Sequence, residues 1–120
     1  MSPVAIVQAD ADGKIALWGA GAEALFGHKA AQAVGRSLDL LVPPHYREHH
    51  WKGFKAAMTN RALQGNDPFL LPIVCSDGKA KHFAGRLMIL NNAYGEPVGA
   101  LAIFVAERAD AAVPELYRLE

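Results

Sequence analysis

Two short runs of mainly apolar, β-prone residues open the chain. The runs extend from Val4 to Ala9 and from Lys14 to Trp18, and Asp-Ala-Asp-Gly separates them at positions 10–13. Aspartate and glycine readily adopt the backbone conformations of tight turns. The pattern therefore predicts a β-hairpin as the first element.

The next segment has a helical pattern. Two short alanine-rich pieces, Gly19 to Phe26 and Lys29 to Val34, are each followed by a glycine, which favours helix termination. Ser37 can cap a single helical turn that reaches Leu41. Several short helices in succession indicate a compact helical segment that packs across a sheet.

A longer helix is predicted to begin near Pro44, because proline suits a first turn in which the N–H has no partner. A period of 3.6 residues places an inward stripe on this helix, formed by Tyr46, His50, Phe54, Ala57 and Met58. His50 therefore points inward. An imidazole buried there without a partner would cost a few kcal/mol, so we expect a protein acceptor, a water or a metal centre beside it.

After position 68 the pattern changes to strands. Apolar or alternating residues occupy Phe69 to Cys75, Lys79 to Leu90 and Val98 to Val105, with turn residues between these runs. In the second run, Leu87 and Ile89 share one face. Two strands, several helices and three further strands predict an α+β fold with an antiparallel sheet.

Composition narrows the class of protein. The chain has 120 residues, of which 52% are hydrophobic and 20% charged, as expected for one globular domain. Its formal net charge of zero gives no electrostatic reason to expect nucleic acid or an anionic membrane as a partner. No run is long enough to span a bilayer, so we expect a cytoplasmic protein. The single cysteine, Cys75, cannot form an internal disulfide, and no nucleophile with a spaced histidine and acid indicates an enzyme.

Four phrases resemble the PAS sensory domains: DADGKIALW, AEALFGHKAAQAVGRSLDLLVPPHYREHH, CSDGKAKHF and GEPVGALAIFV. The resemblance covers roughly Val4 to Val105. It implies a PAS fold, in which short helices and one longer helix pack over one face of a five-stranded antiparallel sheet. The sensory domain would occupy residues 1–107, and residues 108–120 would form a connector or C-terminal tail. The implied function is signalling without catalysis, with a homodimer and a downstream protein or domain as partners.

LVPPHYREHH also resembles the corresponding helix of oxygen-sensing heme PAS domains. The resemblance places the proximal heme histidine at His50 and apolar distal residues at Leu87 and Ile89. The position of the distal polar residue holds Phe69 or Leu71, and the position of the basic residue that binds a propionate holds Ala56. The resulting candidate site for heme b, with His50 as iron ligand, is formed by His50, Phe54, Ala57, Phe69, Leu71, Leu87 and Ile89.

Alternatives to heme remain open. The pocket can hold a different small molecule or none, or the domain can be a cofactor-free module for homodimerisation or protein docking. Flavin is less favoured because the reactive Asn-Cys phrase of light-sensing PAS domains is absent. The heme hypothesis predicts that His50→Ala loses heme, whereas His45→Ala and His49→Ala, on flanking faces of the helix, retain it.

Overall fold

The computed structural model describes residues 3–59, 68–106 and 117–118. The predicted first hairpin is present and consists of β1 (Val4–Asp10) and β2 (Ile15–Trp18). Asp10 closes its turn, because the Asp10 Oδ1 atom accepts hydrogen bonds from the amides of Asp12 at 3.0 Å and Lys14 at 2.9 Å. The turn chemistry in the sequence therefore determines this element locally.

The helical segment follows the predicted order. It consists of α1 (Ala20–Phe26), α2 (Ala30–Ala33), two 3₁₀ turns (Leu38–Leu40 and Pro44–Tyr46) and α3 (Arg47–Thr59). Gly27 ends α1 with a φ of 86°, and the Ser37 hydroxyl caps the first 3₁₀ turn by accepting the Asp39 amide at 3.1 Å. The long helix begins at Pro44 as predicted, but its first turn is 3₁₀ and α-helical geometry starts at Arg47.

Three further strands complete the sheet: β3 (Phe69–Val74), β4 (Ala80–Asn91) and β5 (Pro97–Ala106). The strand order is β2-β1-β5-β4-β3, and all neighbours in this order are antiparallel. The predicted five-stranded antiparallel sheet is therefore confirmed. A two-residue strand, β6 (Tyr117–Arg118), pairs in parallel with β3 and was not predicted. The boundary at 107 and the rest of the tail lie outside the described residues.

The helical segment attaches to both edges of this sheet through backbone hydrogen bonds. At the β2 edge, the Ile15 amide donates to the Arg36 carbonyl at 2.8 Å. At the β3 edge, the Val74 amide donates to the Leu41 carbonyl, also at 2.8 Å. The segment therefore crosses one face of the sheet from edge to edge, and α3 follows on that side.

An aromatic cluster fills one part of the space between the helices and the sheet. Phe26 is fully buried, with its ring edge-on to Phe83 at 4.8 Å and to Phe104 at 5.7 Å between centroids. Truncating a buried phenylalanine of this kind costs about 3–5 kcal/mol, so Phe26 anchors the core. The sheet next to this cluster carries small residues instead, including Ala9 and Ala100.

Candidate ligand-binding site

A cavity of about 510 Å³ lies between α3 and the inner face of the sheet. Residues of β1, β3, β4 and β5 form its floor, and residues 38–57 form the opposite wall. Pockets for small molecules commonly have volumes of roughly 300–1,000 Å³. The cavity is therefore large enough for a small organic ligand.

All seven residues predicted for the site line this cavity. They are His50, Phe54 and Ala57 on α3, Phe69 and Leu71 on β3, and Leu87 and Ile89 on β4. The helical period and the strand alternation thus selected the correct faces of α3 and β4. The chemical nature of the occupant stays a prediction.

Sequence reasoning missed the floor contributed by the two central strands. Val7 faces Ala102 and Ala9 faces Ala100 in the β1–β5 pair, and all four line the cavity. The alternation in β1 is a signal for Val7 and Ala9, because the sequence places polar Gln8 between them. β5 carries apolar residues on both faces, so no local signal separates its inward residues from its outward ones. The small alanines leave the volume that larger side chains would fill.

The second 3₁₀ turn and the first turn of α3 supply the polar end of the cavity. Tyr46 is buried, His50 is half-buried one turn later, and both line the cavity. His49 also lines it, although its residue is exposed, and its ring lies 5.0 Å from that of Tyr46. The helical pattern placed His49 on a flanking face of the helix, and the structure shows that this exposed residue also borders the cavity. Tyr46 and His49 are three residues apart, so they are neighbours on the helix surface.

The cavity wall has very few polar side chains. Among the twenty lining residues, only Tyr46, His49 and His50 carry side-chain oxygen or nitrogen atoms. No aspartate, glutamate, lysine or arginine is among the described lining residues. The cavity is thus apolar with one polar end, and it offers no fixed charge to a ligand.

The two ring nitrogens of His50 have different surroundings. Nδ1 is closed off from solvent and has no hydrogen-bond partner among the described residues. Nε2 is not closed off in this way, so Nε2 is the ring nitrogen that remains accessible. Burial lowers the pKa of His50, with a smaller effect of His49 in the same direction, while the nearby Asp39 carboxylate opposes the shift. Burial thus favours the neutral imidazole.

Trp51 fixes α3 to the elements beside it. The indole Nε1 donates a hydrogen bond of 2.7 Å to Asp39 Oδ1, and the Trp51 ring centroid lies 4.8 Å from that of His50. The ring also covers Gly13 in the hairpin turn so closely that a Cβ atom there would lie 2.3 Å from it. The exposed Arg47 side chain also approaches Asp39, with 3.8 Å between Nε and Oδ1. The position of His50 is therefore coupled to the hairpin and the first 3₁₀ turn.

Cys75 lies outside the cavity lining, directly after β3. Its side chain is buried, and burial raises the pKa of the thiol. A raised pKa makes the thiol a poor nucleophile and metal ligand. Among the described residues, no group of three histidine, cysteine or acidic side chains is arranged to hold a metal ion.

Comparison with known proteins agrees with this architecture. The family model for the PAS fold matches residues 2–104 of the 120-residue chain. The chain belongs to the PAS family. PAS domains are sensory and signalling modules that generally lack catalytic activity. No curated protein matches the sequence.

In the part of the chain that the structure describes, no helix is long and apolar enough to cross a membrane.

Solved PAS domains are similar to this one. A PAS domain from Colwellia psychrerythraea is 28% identical with a TM-score of 0.72, and the match covers 84% of this chain and 83% of that one. The PAS domain of the quorum-sensing receptor RpfR from Cronobacter turicensis, in complex with C12:0, is 16% identical with a TM-score of 0.63. That match covers 89% of this chain and 95% of the other, and it shows the fold alone.

Proposed function

We propose that this PAS domain is a sensor that binds a small, largely apolar molecule in the cavity beneath α3 and transmits its occupancy to a partner. The observation that carries the proposal is the cavity of about 510 Å³ with apolar walls and a single polar end. Transfer of apolar surface from water into such a site is favourable in proportion to its area. The Cronobacter domain, which has the same fold, is described in complex with C12:0, and this supports a ligand with an aliphatic chain here.

Signal transmission requires that the ligand bind two arrangements of the domain with different affinities. The contacts of Trp51 suggest where such arrangements differ. Trp51 packs on His50 and on Phe54, whose rings both border the cavity, and it also covers Gly13 outside the cavity. A ligand that displaces either ring also moves the Trp51 ring packed against it. Because Trp51 covers Gly13, this movement displaces the hairpin turn.

Thermal unfolding of ligand-free protein tests the proposed function. A ligand that binds only the folded state raises the midpoint by several degrees once its concentration is well above Kd. We expect this rise with medium-length aliphatic molecules, and we expect it to be lost in Ala102→Leu, which narrows the cavity. The proposal fails if no apolar molecule in such a panel raises the midpoint of the parent protein.

Heme b bound through His50 is the second candidate for the same cavity. The accessible Nε2 atom and the apolar walls support it. Two features oppose it. No lysine or arginine is among the described lining residues to hold the propionates, and iron on Nε2 would leave an N–H on Nδ1, which has no acceptor in the described structure. Histidines that bind metals almost always donate their other N–H to a partner.

An absorbance spectrum after heme addition distinguishes the two candidates. Heme coordination would give a Soret shift that His50→Ala abolishes and His45→Ala retains. His45 is the matched control because its residue is exposed and does not line the cavity. His49→Ala is unsuitable as a control, since His49 lines the cavity.

A cofactor-free role in homodimerisation is supported by the outer face of the sheet. Exposed apolar side chains lie there on neighbouring strands, namely Val4, Ile6, Leu17 and Met88. A two-fold dimer buries the same patch on both copies. Sedimentation of the parent protein and of Ile6→Glu tests this. The parent should dimerise and the variant should not, whereas a monomeric parent would exclude this role.

A further inference from the structure

The environment of His50 restricts the chemistry of the ligand. A neutral imidazole carries one N–H donor and one lone-pair acceptor on its two nitrogens. Nδ1 is buried without a partner among the described residues, Nε2 is not closed off in this way, and the His50 residue lines the cavity. The nitrogen that carries the imidazole proton therefore determines whether His50 offers a ligand a hydrogen-bond donor or an acceptor.

The costs of the two tautomers differ. A proton on Nδ1 would leave a buried N–H without an acceptor, and orphaned buried N–H groups are rare in proteins. A proton on Nε2 leaves only a lone pair buried on Nδ1, and it places the N–H where water or a ligand can accept it. We therefore assign the proton to Nε2. His50 then presents a hydrogen-bond donor to the cavity.

The other polar groups at this end agree with a donor site. Tyr46 lies one helical turn before His50 and lines the same cavity. Burial raises the pKa of Tyr46, so its hydroxyl stays protonated and can donate. No lysine or arginine among the described lining residues can compensate a buried negative charge. A carboxylate at this position would therefore carry a desolvation penalty without an ionic partner.

We propose that the ligand is an uncharged amphiphile: an aliphatic body lies along the alanine-lined floor, and one carbonyl, ether or hydroxyl oxygen accepts a hydrogen bond from His50 Nε2–H. This inference rests on the proposed function and adds to it the class of head group. It distinguishes the expected ligand from free fatty acids, which are anionic at neutral pH, and from heme, which carries two propionates and needs the Nε2 lone pair.

Three probes of equal chain length test the head group: 2-decanone, decanoate and decane. Binding to ligand-free protein is measured by calorimetry at mildly alkaline pH, where the fatty acid is fully ionised. We expect 2-decanone to bind about tenfold more tightly than decanoate, because the carboxylate would lose its hydration without gaining an ionic partner. Decanoate binding as tightly as 2-decanone overturns this inference but leaves the proposed function intact. Failure of all three probes to bind overturns the proposed function itself.

Variants of α3 then assign the preference to His50. His50→Leu should weaken 2-decanone binding about fivefold to tenfold but should not weaken decane binding, because only the ketone loses a donor. His50→Gln, which keeps an N–H donor, should retain part of the preference, and His45→Leu should retain all of it. Equal affinity of His50→Leu and the parent for 2-decanone contradicts the inference.

The tautomer is measured independently of any ligand. Long-range ¹H–¹⁵N correlation spectra distinguish protonated from unprotonated imidazole nitrogens, and we expect the His50 proton on Nε2 in ligand-free protein. A proton on Nδ1 overturns the inference. This readout also applies if a His50 variant fails to fold, because it uses the parent chain.

Discussion

Ala102→Leu should stabilise the domain while it removes ligand binding. Ala102 pairs with Val7 on β1 and with Leu87 on β4, and all three side chains line the cavity. Leucine adds three carbons at this point, where the cavity of about 510 Å³ provides room for them. The same atoms then occupy part of the volume that a ligand needs.

The magnitude follows from burial and entropy. Three buried carbons contribute about 2.4 kcal/mol at about 0.8 kcal/mol each, and ordering the leucine side chain costs about 0.5–1 kcal/mol. The free energy of unfolding should therefore increase by about 1–2 kcal/mol in the ligand-free protein. Ligand affinity should fall at least tenfold, or about 1.4 kcal/mol.

Urea unfolding of ligand-free protein measures the first effect, and calorimetry with 2-decanone measures the second. Ala84→Leu is the matched control, because strand alternation directs residue 84 of β4 to the opposite face of the sheet. The control should retain ligand binding. Destabilisation of Ala102→Leu by more than about 1 kcal/mol would indicate overpacking and refute the cavity at this position. Unchanged affinity would refute its role as the ligand site.

Three further predictions concern the surroundings of the cavity. Gly13→Ala should lower the free energy of unfolding, measured in urea, by at least about 1 kcal/mol more than Gly35→Ala. Both glycines have left-handed φ angles, 80° at Gly13 and 89° at Gly35, but only Gly13 is covered by the Trp51 ring. Equal losses of stability in the two variants would contradict the contact between Trp51 and Gly13. Burial lowers the folded-state pKa of His50 below its usual value of about 6.5. As pH falls, the unfolded chain therefore binds a proton before the folded one does, so His50 lowers the free energy of unfolding below about pH 6.5 and has no effect above it. His50→Leu should reduce this decline when unfolding is measured as a function of pH. An unchanged pH dependence in the variant would show that other groups cause the decline. Cys75→Ser should keep full affinity for 2-decanone in calorimetry, since the thiol does not line the cavity, and a large loss of affinity would place Cys75 at the site.

The parts of the fold that could be predicted depend on local chemistry. The Asp10 side chain closes the first hairpin turn through residues within four positions of it. The inward stripe of α3 follows from its period, which placed His50, Phe54 and Ala57 at the cavity. Such features need only neighbouring residues in the sequence, so a pattern can indicate them.

Features that depend on distant pairing could not be predicted. The inward direction of Ala100 and Ala102 depends on the β1–β5 register, and the sequence of β5 is apolar on both faces. The different surroundings of the two nitrogens of His50 arise from side chains of several elements, and no spacing along the chain indicates them.

The proposed ligand, a small and largely apolar molecule, binds between α3 and the inner face of the sheet. An NMR titration of ligand-free, ¹⁵N-labelled protein with 2-decanone tests it most directly. We expect saturable shifts at the amides of Phe54, Leu87 and Ala102, together with a shift of His50 Nε2–H. Residues whose side chains lie on the outer face, such as Leu17, should change little. No saturable shift, or shifts confined to the outer face, would contradict it.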